Sequence, residues 1–550
     1  MAQRPRDPRF FAPLWTAQQA RELDQGTIQQ VGIDGYVLME HAGKAAAEAC
    51  FHLNKTTPEC PVLIFAGPGN NGGDGWVAAR HLWSMGHAAL VVSTISPSDL
   101  KGDAAVAAQN YLKATQHMGW TISGLASPWL QLKDAKETAR TLQTHQPRVV
   151  VDALLGTGLS RRIEGPLASL IEAIQHGFRG LAHKPKVLAI DIPTGLFADG
   201  RAPDGPYLKA DVTITFGGKK LCHALSPTCF ECGTVSDVNI GLLAAPTRLA
   251  SARAYMLKPQ PNLLQHLLPP PTPTVHKGRF GHVGVLVGAP EMQGAARLAA
   301  YAAHRASSGK VSLVGGQHQL QTMNTDMPET LKAPLPQNPQ EVSTLFKGFS
   351  ALVMGPGFPE TPQSQQAVKE MLKIAIAADR PTVVDAGGLQ ALAPLAAELR
   401  APSAKGLLIC TPHPKEAAQL LEQTTEQIQG NRLAALDALC ALPINEKCPT
   451  IWVLKGACPM VGEMASAPGI ILGGHSPLAV GGSGDVLAGI IATLLERVPD
   501  PFLATVAAVY AHQEAGERLS NQGLSTGFLA REIADEAQQV LFSASQGRNA

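Results

Sequence analysis

Short apolar runs alternate with longer amphipathic segments along the chain. In the first half the apolar runs cover residues 62–66, 89–93, 149–154, 187–192 and 212–216. Near-continuous apolar strands that alternate with helices are typical of a parallel sheet covered on both faces. Ahead of the first run, residues 16–53 repeat apolar positions at helical spacing. The first half is therefore predicted to be an α/β domain with three layers.

A second set of apolar runs follows a proline-rich stretch, "MLKPQPNLLQHLLPPPTPTV", which starts at Met256. A proline run extends neither a helix nor a central strand. We therefore predict a first domain at residues 1–257, a linker at 258–275 and a second domain at 276–550. The second domain is also predicted to be α/β. Its predicted strands cover residues 283–287, 311–314, 351–354, 382–385, 407–410 and 451–454, with late helices from about residues 486 and 502.

The bulk composition narrows the class of protein. The 550 residues are 45% hydrophobic, 16% charged and 5% aromatic, with a formal net charge of +1. This balance favours a globular protein, and the absence of a basic stripe argues against nucleic-acid or acidic-membrane binding. No apolar run reaches the length of a membrane span. We expect a cytoplasmic homo-oligomer whose partners are small molecules, with no nucleic acid and no membrane.

The nine cysteines fit reduced thiols better than a disulfide framework. One group, "CHALSPTCFEC", contains Cys222, His223, Cys229 and Cys232. A lone C-x-x-C with a nearby Cys and His could bind zinc, but no second C-x-x-C is present. Buried or surface thiols are the preferred interpretation.

Polar residues gather where the strands of the first half end. "VLIFAGPGNNGGDG" from Val62 fits G-x-G-x-x-G, a pattern of dinucleotide binders, yet it places Asp74 at the predicted helix start. An ordinary cofactor site also expects an acid about 20 residues onward, and this chain has Ser93 and Thr94 there. Each polar residue alone could be a helix cap or a turn former. The carboxyl ends of parallel strands meet at one edge, so a single cleft is predicted from Asn70, Asn71, Asp74, Asp152, Asp191 and Thr194.

Four motifs together resemble the NAD(P)H-hydrate epimerases: "LMEHAG" from Leu38, "GPGNNGGDG" from Gly67, "VDALLGTGL" from Val151 and "AIDIPTG" from Ala189. The resemblance covers residues 10–245 and implies a Rossmann-like three-layer α/β sandwich that binds a hydrated nucleotide as its substrate. It implies that Asp191 is catalytic and that K⁺ is held by Asn71, Asp152 and Thr194. The substrate-binding residues it implies are Asn70, Asn71, Gly72, Gly73, Asp74, Gly156, Thr157, Gly158, Leu159, Ser160, Arg161, Arg162 and Asp191.

Three loops in the second half also carry candidate chemistry. "VGGSGDVLAGI" from Val480 is a glycine turn followed by Asp485 and an apolar helix. A helix N-terminus suits an anion, so an acid there suggests a base aimed at a hydroxyl next to a transferring phosphoryl group. The alternative is that Asp485 only caps the helix. "TPHPKEAAQL" and "VLKGACP" place His413 and Lys455 after two other strands.

These loops, with "HKGRFGHVGVLVG" from His276, "GAARLAAYAAHRASSGKVSLV" from Gly294 and "GPGF" from Gly355, resemble the ribokinase-like NAD(P)H-hydrate dehydratases over residues 275–540. The resemblance implies ADP-driven removal of water from the S hydrate, with ATP as an alternative nucleotide and Mg²⁺ bound with it. It implies that Asp485 is the catalytic base and contacts the substrate, together with Ala295, Gly357 and His413. The nucleotide-binding residues it implies are Lys455, Gly456, Ala457, Cys458, Pro459 and Gly484.

The second half departs from that family's pattern at a few positions. "DAGGLQ" keeps Asp385 but has Gly387 and Gln390, Pro459 stands where a threonine is usual, and His475 stands where an asparagine is usual. The sequence thus predicts a bifunctional metabolite-repair enzyme that epimerises hydrated NADH or NADPH and dehydrates the S form. Two alternatives remain open at this point: a small-molecule kinase in the second half, and a non-catalytic binding module in the first.

Overall fold

The computed structural model describes residues 6–55, 60–119, 127–132, 134–243, 251–258, 263–323, 327–399, 406–464, 466–523 and 526–545. These residues form two compact units. One unit comprises residues 13–253, and the other comprises residues 1–12 and 254–550. None of the described helices is long and apolar enough to cross a membrane.

The first unit is built on a parallel sheet of seven strands. In chain order its strands are β2 (Val62–Ala66), β3 (Ala89–Ser93), β4 (Trp129–Gln131), β5 (Val149–Ala153), β6 (Lys186–Ile190), β7 (Val212–Phe216) and β8 (Thr234–Val238). They lie in the order β4-β3-β2-β5-β6-β7-β8. The chain therefore leaves β2 in one direction and returns beside it at β5, which makes the crevice between these two strands the topological switch point.

The described helices of the first unit include two packed groups. They are α1 (Ala17–Gly26), α2 (Gly35–Leu53), α3 (Asn70–Ser84), α4 (Gly102–Met118), α5 (Ala135–His145) and α6 (Gly165–Arg179). Helices α2, α3 and α4 pack against one another, and α5 packs against α6. Strands β2, β3 and β5 are buried along their whole length, as expected for a sheet covered on both faces.

The second unit contains a mixed sheet of eleven strands. Its strands are β1 (Phe11–Leu14), β9 (Ala254–Leu257), β10 (His282–Leu286), β11 (Lys310–Gly315), β12 (Leu331–Pro334), β13 (Ala351–Met354), β14 (Thr382–Val384), β15 (Leu408–Cys410), β16 (Thr450–Leu454), β17 (Met460–Glu463) and β18 (Gly469–Ile470). Their order is β1-β9-β18-β17-β16-β15-β14-β13-β10-β11-β12. The strands from β16 through β12 pair in parallel, whereas β17 is antiparallel to both of its neighbours.

Thirteen further helices of this unit are described. They are α7 (Leu263–Leu267), α8 (Gln293–Arg305), α9 (Gln317–Thr322), α10 (Pro339–Lys347), α11 (Pro362–Ala377), α12 (Leu392–Glu398), α13 (Pro414–Leu421), α14 (Thr425–Gly430), α15 (Arg432–Cys440), α16 (Ile444–Lys447), α17 (Ser483–Arg497), α18 (Pro501–Ser520) and α19 (Ala530–Ser545). The α/β class predicted for both halves is confirmed.

The division between the units differs from the predicted boundary at residues 257 and 258. Strand β9 joins the sheet of the second unit through β18, and residues 1–12 also belong to that unit. Of the predicted linker, 258–275, the described residues 258 and 263–275 lie inside the second unit, and residues 259–262 are outside the described residues. Helix α7 buries Leu263 and Leu264 there. Buried apolar residues beside the proline run explain why this stretch packs as part of a domain.

Candidate active sites

A cavity of about 470 Å³ opens at the carboxyl edge of the seven-stranded sheet. It lies at the switch point, where the loops after β2 and β5 meet, and also receives the ends of β6 and β7. The predicted site residues that line it are Asn70, Asn71, Asp74, Gly156, Thr157, Gly158 and Asp191. A cleft is therefore present at this edge, and Asn70, Asn71, Asp74 and Asp191 line it, whereas Asp152 and Thr194 do not.

Other predicted substrate contacts are not among the residues lining this cavity. Leu159 packs against the apolar core of the unit, Ser160 accepts a hydrogen bond from Arg201 through its carbonyl, and Arg162 faces Glu164. Together with Arg161, these residues form the outer part of the loop after β5. The part of that loop that reaches the cavity is its first three residues, 156–158.

The glycine-rich segment is mostly helical. Helix α3 begins at Asn70, so Asp74 lies in its second turn and not at its start as the sequence predicted. A Cβ on Gly72 would lie 1.9 Å from the carbonyl oxygen of Gly67, and one on Gly73 would lie 2.6 Å from the Met39 side chain. Gly72 and Gly73 therefore pack closely against their neighbours, whereas Asn70, Asn71 and Asp74 line the cavity.

Asp191 forms a buried ion pair with Lys220. The Lys220 Nζ lies 2.5 Å from Asp191 Oδ1 and 2.8 Å from both the Thr215 hydroxyl and the Phe216 carbonyl oxygen. Thr215 donates a second hydrogen bond to Asp191 Oδ1. Burial disfavours the charged carboxylate, but the Lys220 charge and its hydrogen bond hold the Asp191 pKa below its usual value. An ionised carboxylate is thus kept at the cavity wall.

The backbone of Asp191 is held in an uncommon conformation. Its φ is +65°, in the left-handed region that non-glycine residues seldom adopt. His223 fixes this backbone: its Nε2 lies 3.1 Å from the Asp191 carbonyl oxygen, and its Nδ1 accepts from the Lys220 amide. Burial lowers the His223 pKa to about 3, so the ring is neutral. Strain of this kind, held by the surroundings, is typical of functional sites.

Two more carboxyl groups share the cavity with Asp191. Burial, followed by the charges of Asp191 and Asp24, raises the Asp74 pKa well above its usual value. Burial also raises the Asp24 pKa to about 6, against the lowering effect of Lys220. Sequence analysis missed both Asp24 and Lys220 as site residues. The group combines one ionised carboxylate with two acids that hold protons more readily, which suits proton exchange with a substrate.

Of the three residues predicted to hold K⁺, Asp152 and Thr194 are bonded to each other, and Asn71 lines the cavity. Asp152 is fully buried, and Thr194 donates to it through its hydroxyl at 2.6 Å and its amide at 2.7 Å. Burial raises the Asp152 pKa to about 6, and no ion pair to Asp152 occurs among the described residues. Asn71 Nδ2 is buried without a hydrogen-bond partner in the described chain. A buried carboxylate beside hydroxyl and amide oxygens is a donor set that fits a weakly charged, hard cation.

Three of the four residues in the predicted cysteine and histidine group lie close together in the structure. Ligand atoms of Cys222, His223 and Cys232 lie within 4.8 Å of one another in the described structure, whereas Cys229 is not part of this group. Both ring nitrogens of His223 are engaged with the backbone, as described above. Cys232 Sγ lies 3.3 Å from the Thr228 carbonyl oxygen. The thiols are therefore buried, hydrogen-bonded core residues.

A second cavity, of about 550 Å³, lies in the second unit beside the ends of β15 and β16. The predicted nucleotide and substrate residues that line it are His413, Lys455, Gly456, Ala457, Pro459 and Gly484. Cys458 does not line it, since its thiol is buried against the Gly473 carbonyl oxygen. Ala295 and Gly357 lie elsewhere: they are not among the lining residues, and a Cβ on Gly357 would lie 3.4 Å from that of Ala295.

A cluster of acids surrounds Lys455 at this edge. Asp385, His413 and Lys455 follow the consecutive strands β14, β15 and β16, and Lys455 Nζ lies 2.6 Å from Asp385 Oδ1 and 3.8 Å from Glu416 Oε2. Burial raises the Glu416 pKa to about 7. Burial, with the nearby charge of Asp385, raises the Asp485 pKa to about 7 as well. Lys455, predicted to serve a nucleotide, thus also neutralises the acid cluster.

Asp485 is not a helix cap. Helix α17 begins at Ser483, its N-cap is Gly482 with no side-chain hydrogen bond, and Asp485 is the third helical residue. His413, by contrast, caps α13: its Nδ1 accepts from the amides of Lys415 and Glu416. Asp485 therefore makes no capping hydrogen bond, and its place in the first turn complements the helix dipole.

Gly387, one of the positions that depart from the dehydratase family's pattern, must be glycine for steric reasons. A Cβ at this position would lie 2.1 Å from the Phe358 carbonyl oxygen, so no larger residue fits without moving the backbone. Gln390 takes part in a different network, in which its amide donates to Glu360. His475 and Pro459 both line the second cavity. Asp385 thus remains as the acid that this motif contributes to the Lys455 cluster.

Comparison with known proteins agrees with this division of the chain. Residues 283–539 match the family described as NAD(P)H-hydrate dehydratase, and residues 35–222 match the family described as YjeF-related protein N-terminus. The bifunctional NAD(P)H-hydrate repair enzyme Nnr of Thermanaerovibrio acidaminovorans is 33% identical over 95% of this chain and 97% of its own length. The chain belongs to the family of bifunctional NAD(P)H-hydrate repair enzymes.

Two further similarities are found. The family's Moorella thermoacetica member is 31% identical over 96% of both chains. A solved ADP/ATP-dependent NAD(P)H-hydrate dehydratase from Bacillus subtilis, co-crystallized with ATP/Mg²⁺, is 27% identical, with a TM-score of 0.43; the match covers 51% of this chain and 96% of that one. The first and second units of this family member are called the epimerase and dehydratase units below.

Proposed function

We propose that this chain repairs hydrated NADH and NADPH in two steps at two sites. The epimerase unit interconverts the R and S hydrates, and the dehydratase unit removes water from the S hydrate with ADP as co-substrate. The proposal is carried by two separate acid clusters: Asp191–Lys220, which lines the first cavity, and Asp485–Asp385–Lys455, of which Lys455 but neither acid lines the second. The membership in the repair family supports the same assignment.

In the epimerase site Asp191 is the catalytic group. Epimerisation proceeds when hydroxide leaves the hydrated ring, a cationic ring forms, and water adds to the other face. The ionised Asp191 carboxylate stabilises that cation electrostatically and exchanges a proton with the leaving and returning water. Lys220 positions Asp191 through Oδ1, and Asp74 and Asp24 serve as the nearby proton reservoir.

Three residues would hold K⁺ in this unit. Asp152, Thr194 and Asn71 would provide one carboxylate, one hydroxyl and one amide. When bound, the ion supplies a fixed positive charge that neutralises Asp152. The chain itself then keeps Asn71 and the start of α3 in place against the substrate.

In the dehydratase site Asp485 is the catalytic base. Hydroxide is a poor leaving group, so the hydroxyl of the hydrate first attacks the terminal phosphorus of ADP, Asp485 takes the hydroxyl proton, and AMP leaves. The phosphorylated hydrate then loses inorganic phosphate and one ring proton, which gives NADH. The glycine turn before α17 and the helix N-terminus favour the phosphate charge. Mg²⁺ would accompany the nucleotide, and ATP is the alternative donor.

His413, Lys455, Gly456, Ala457 and Pro459 would bind the substrates of this step, since they line the same cavity. A cytoplasmic location and a homo-oligomeric assembly remain predictions of the sequence analysis.

The test uses the full chain and a mixture of R and S NADH hydrate with ADP. We expect the wild type to return the whole mixture to NADH, read as recovery of reduced-nicotinamide absorbance, and to release AMP and phosphate. No recovery with either ADP or ATP contradicts the dehydratase assignment. A stable phosphorylated product would instead indicate a small-molecule kinase.

A further inference from the structure

A third cavity, of about 480 Å³, lies at the carboxyl edge of the sheet in the epimerase unit. Its lining includes the residue that directly follows each of four neighbouring strands: Gly67 after β2, Thr94 after β3, Leu132 after β4 and Leu154 after β5. The catalytic cavity receives the ends of β2 and β5 as well, but its other strands are β6 and β7. The two cavities therefore flank the crevice between β2 and β5, which is the topological switch point.

The two cavities share part of their walls. Pro68, Leu154 and Leu155 line both of them, so the loops after β2 and β5 form the partition between the cavities. Helix α3 begins in this partition, and its N-cap, Gly69, has open space where a Cβ would stand. The free amides of a helix N-terminus at this place favour a pyrophosphate group. A dinucleotide can thus occupy both cavities with its pyrophosphate across the partition.

The chemistry of the third cavity suits a nucleoside. Its apolar lining residues are Leu132, Leu154, Leu155, Leu167 and Leu170. Apolar walls with a few polar groups are typical of sites that bind a ring system. Asp134 is the one ionisable group among the described residues that line this cavity, and its Oδ1 caps α5 by accepting from the Glu137 amide at 2.8 Å. A carboxylate at this wall accepts hydrogen bonds from ribose hydroxyls and repels phosphate groups.

We propose that the third cavity binds the adenosine half of the hydrated dinucleotide while the catalytic cavity holds the hydrated nicotinamide half. A dinucleotide that binds across a switch point places its two nucleosides on opposite sides of the crevice, as these two cavities require. Asp134 accepts from the adenosine ribose and repels a 2′-phosphate, so it selects NADH hydrate over NADPH hydrate. This inference rests on the proposed epimerase function.

The test follows R-to-S conversion by the full chain, without ADP, by chromatography. The first two substrates are NADH hydrate and hydrated reduced nicotinamide mononucleotide, which lacks the adenosine half. Ala135 lines the third cavity at an exposed position, so Ala135→Trp places a bulky ring there without replacing a core residue. Thr144→Trp is the matched control, because Thr144 is an exposed residue of the same helix that does not line the cavity.

We expect wild type to convert NADH hydrate with a kcat/KM at least about tenfold above that for the mononucleotide, because the truncated substrate loses the binding energy of its remote half. Ala135→Trp should lower kcat/KM for NADH hydrate toward the mononucleotide value, and Thr144→Trp should match wild type. An unchanged value in Ala135→Trp overturns the inference. So does an equal fall for both substrates, which indicates a structural effect and not a lost subsite.

Asp134→Asn tests the ribose contact, because asparagine keeps the helix cap and removes the charge. We expect wild type to prefer NADH hydrate to NADPH hydrate by about tenfold in kcat/KM and the variant to lose most of that preference. A wild type without the preference, or a variant that keeps it, overturns the role of Asp134.

The outcome for the proposed function is separate. A wild type that converts none of these hydrates contradicts the epimerase assignment itself. A wild type that converts NADH hydrate and the mononucleotide equally well overturns only the role of the third cavity.

Discussion

The Lys220 ammonium lies 2.5 Å from the Asp191 carboxylate, and both groups are largely shielded from solvent at the wall of the epimerase cavity. The pair keeps Asp191 ionised where burial alone would favour the neutral acid. The geometry makes Lys220 a positioning residue, since it bonds Asp191 Oδ1 and leaves Oδ2 on the side of Gly156.

Replacing Lys220 should therefore change the pH dependence of epimerisation as well as its rate. In Lys220→Met, burial of Asp191 is no longer opposed, so the Asp191 pKa rises and the ionised form is lost at neutral pH. We expect the rate at neutral pH to fall about 100-fold. The acid limb of the pH–rate profile should move to higher pH. The measurement is R-to-S conversion followed by chromatography over a range of pH.

The neighbouring lysine offers a matched control for that variant. Lys219→Met removes the same charge from the same loop but not the bond to Asp191, so its profile should match that of wild type. An unshifted acid limb in Lys220→Met would contradict the positioning role even if the rate falls.

Potassium should stabilise the epimerase unit in a pH-dependent way. The Asp152 pKa is about 6 in the folded chain, above the value of about 3.9 in an unfolded one. Charging this buried acid therefore costs stability progressively as pH rises from about 4 through 6, and a bound cation offsets that cost above this range. We expect K⁺ to raise the Tm more at about pH 8 than at about pH 5. Asp152→Asn should lose this difference, and an equal K⁺ effect at both pH values would argue against the site.

Two glycines at the start of α3, Gly72 and Gly69, allow a stability test with an internal control. The Gly72→Ala change places a Cβ against the Gly67 carbonyl oxygen, and we expect it to lower the free energy of unfolding by about 2–3 kcal/mol. At Gly69 an added Cβ meets nothing within 4 Å. Gly69→Ala should cost less than about 1 kcal/mol. Urea denaturation measures both, and equal losses would mean that the contact with Gly67 is not what requires glycine.

The dehydratase step should depend on the ionisation of Asp485. Its pKa is raised to about 7, and a general base acts in its ionised form, so activity should rise with pH through about 7. Asp385→Asn removes a negative charge that raises this pKa. In that variant we expect the acid limb to move to lower pH, even if the maximal rate falls. A limb that stays in place would assign the titration to another group, such as Glu416.

Continuous apolar runs made the strands of both units predictable. The predicted runs 62–66, 89–93, 212–216 and 351–354 have the bounds that the structure gives to β2, β3, β7 and β13. Strands β8 and β12, which the sequence analysis missed, expose most of their residues and carry no such run. Strand β9 was missed because it lies beside the proline stretch, and this shifted the boundary between the units.

The candidate sites were predictable where residues follow buried strands. Asp191, His413 and Lys455 come after strands that the apolar pattern identifies, and Asp152 lies near the end of one, so the carboxyl edge of each sheet brings together the residues of its own site. Lys220 was missed because "GGKK" resembles an exposed turn. It follows β7, the strand paired with β6, and the same edge rule applied to β7 would have found it. Asp24 was missed because its position at the cavity depends on how α1 packs against the rest of the unit, and no local sequence pattern predicts that packing.

The central claim is that Asp191 and Asp485 serve two separate reactions on one substrate. The measurement is recovery of NADH from a mixed R and S hydrate sample with ADP, for Asp191→Asn, for Asp485→Asn and for the two variants mixed. We expect Asp191→Asn to recover only the S fraction promptly and Asp485→Asn to recover none while it still interconverts R and S. The mixture of variants should restore full recovery, because the S hydrate diffuses from one site to the other. Full prompt recovery by Asp191→Asn alone, or none by the mixture, would contradict the account.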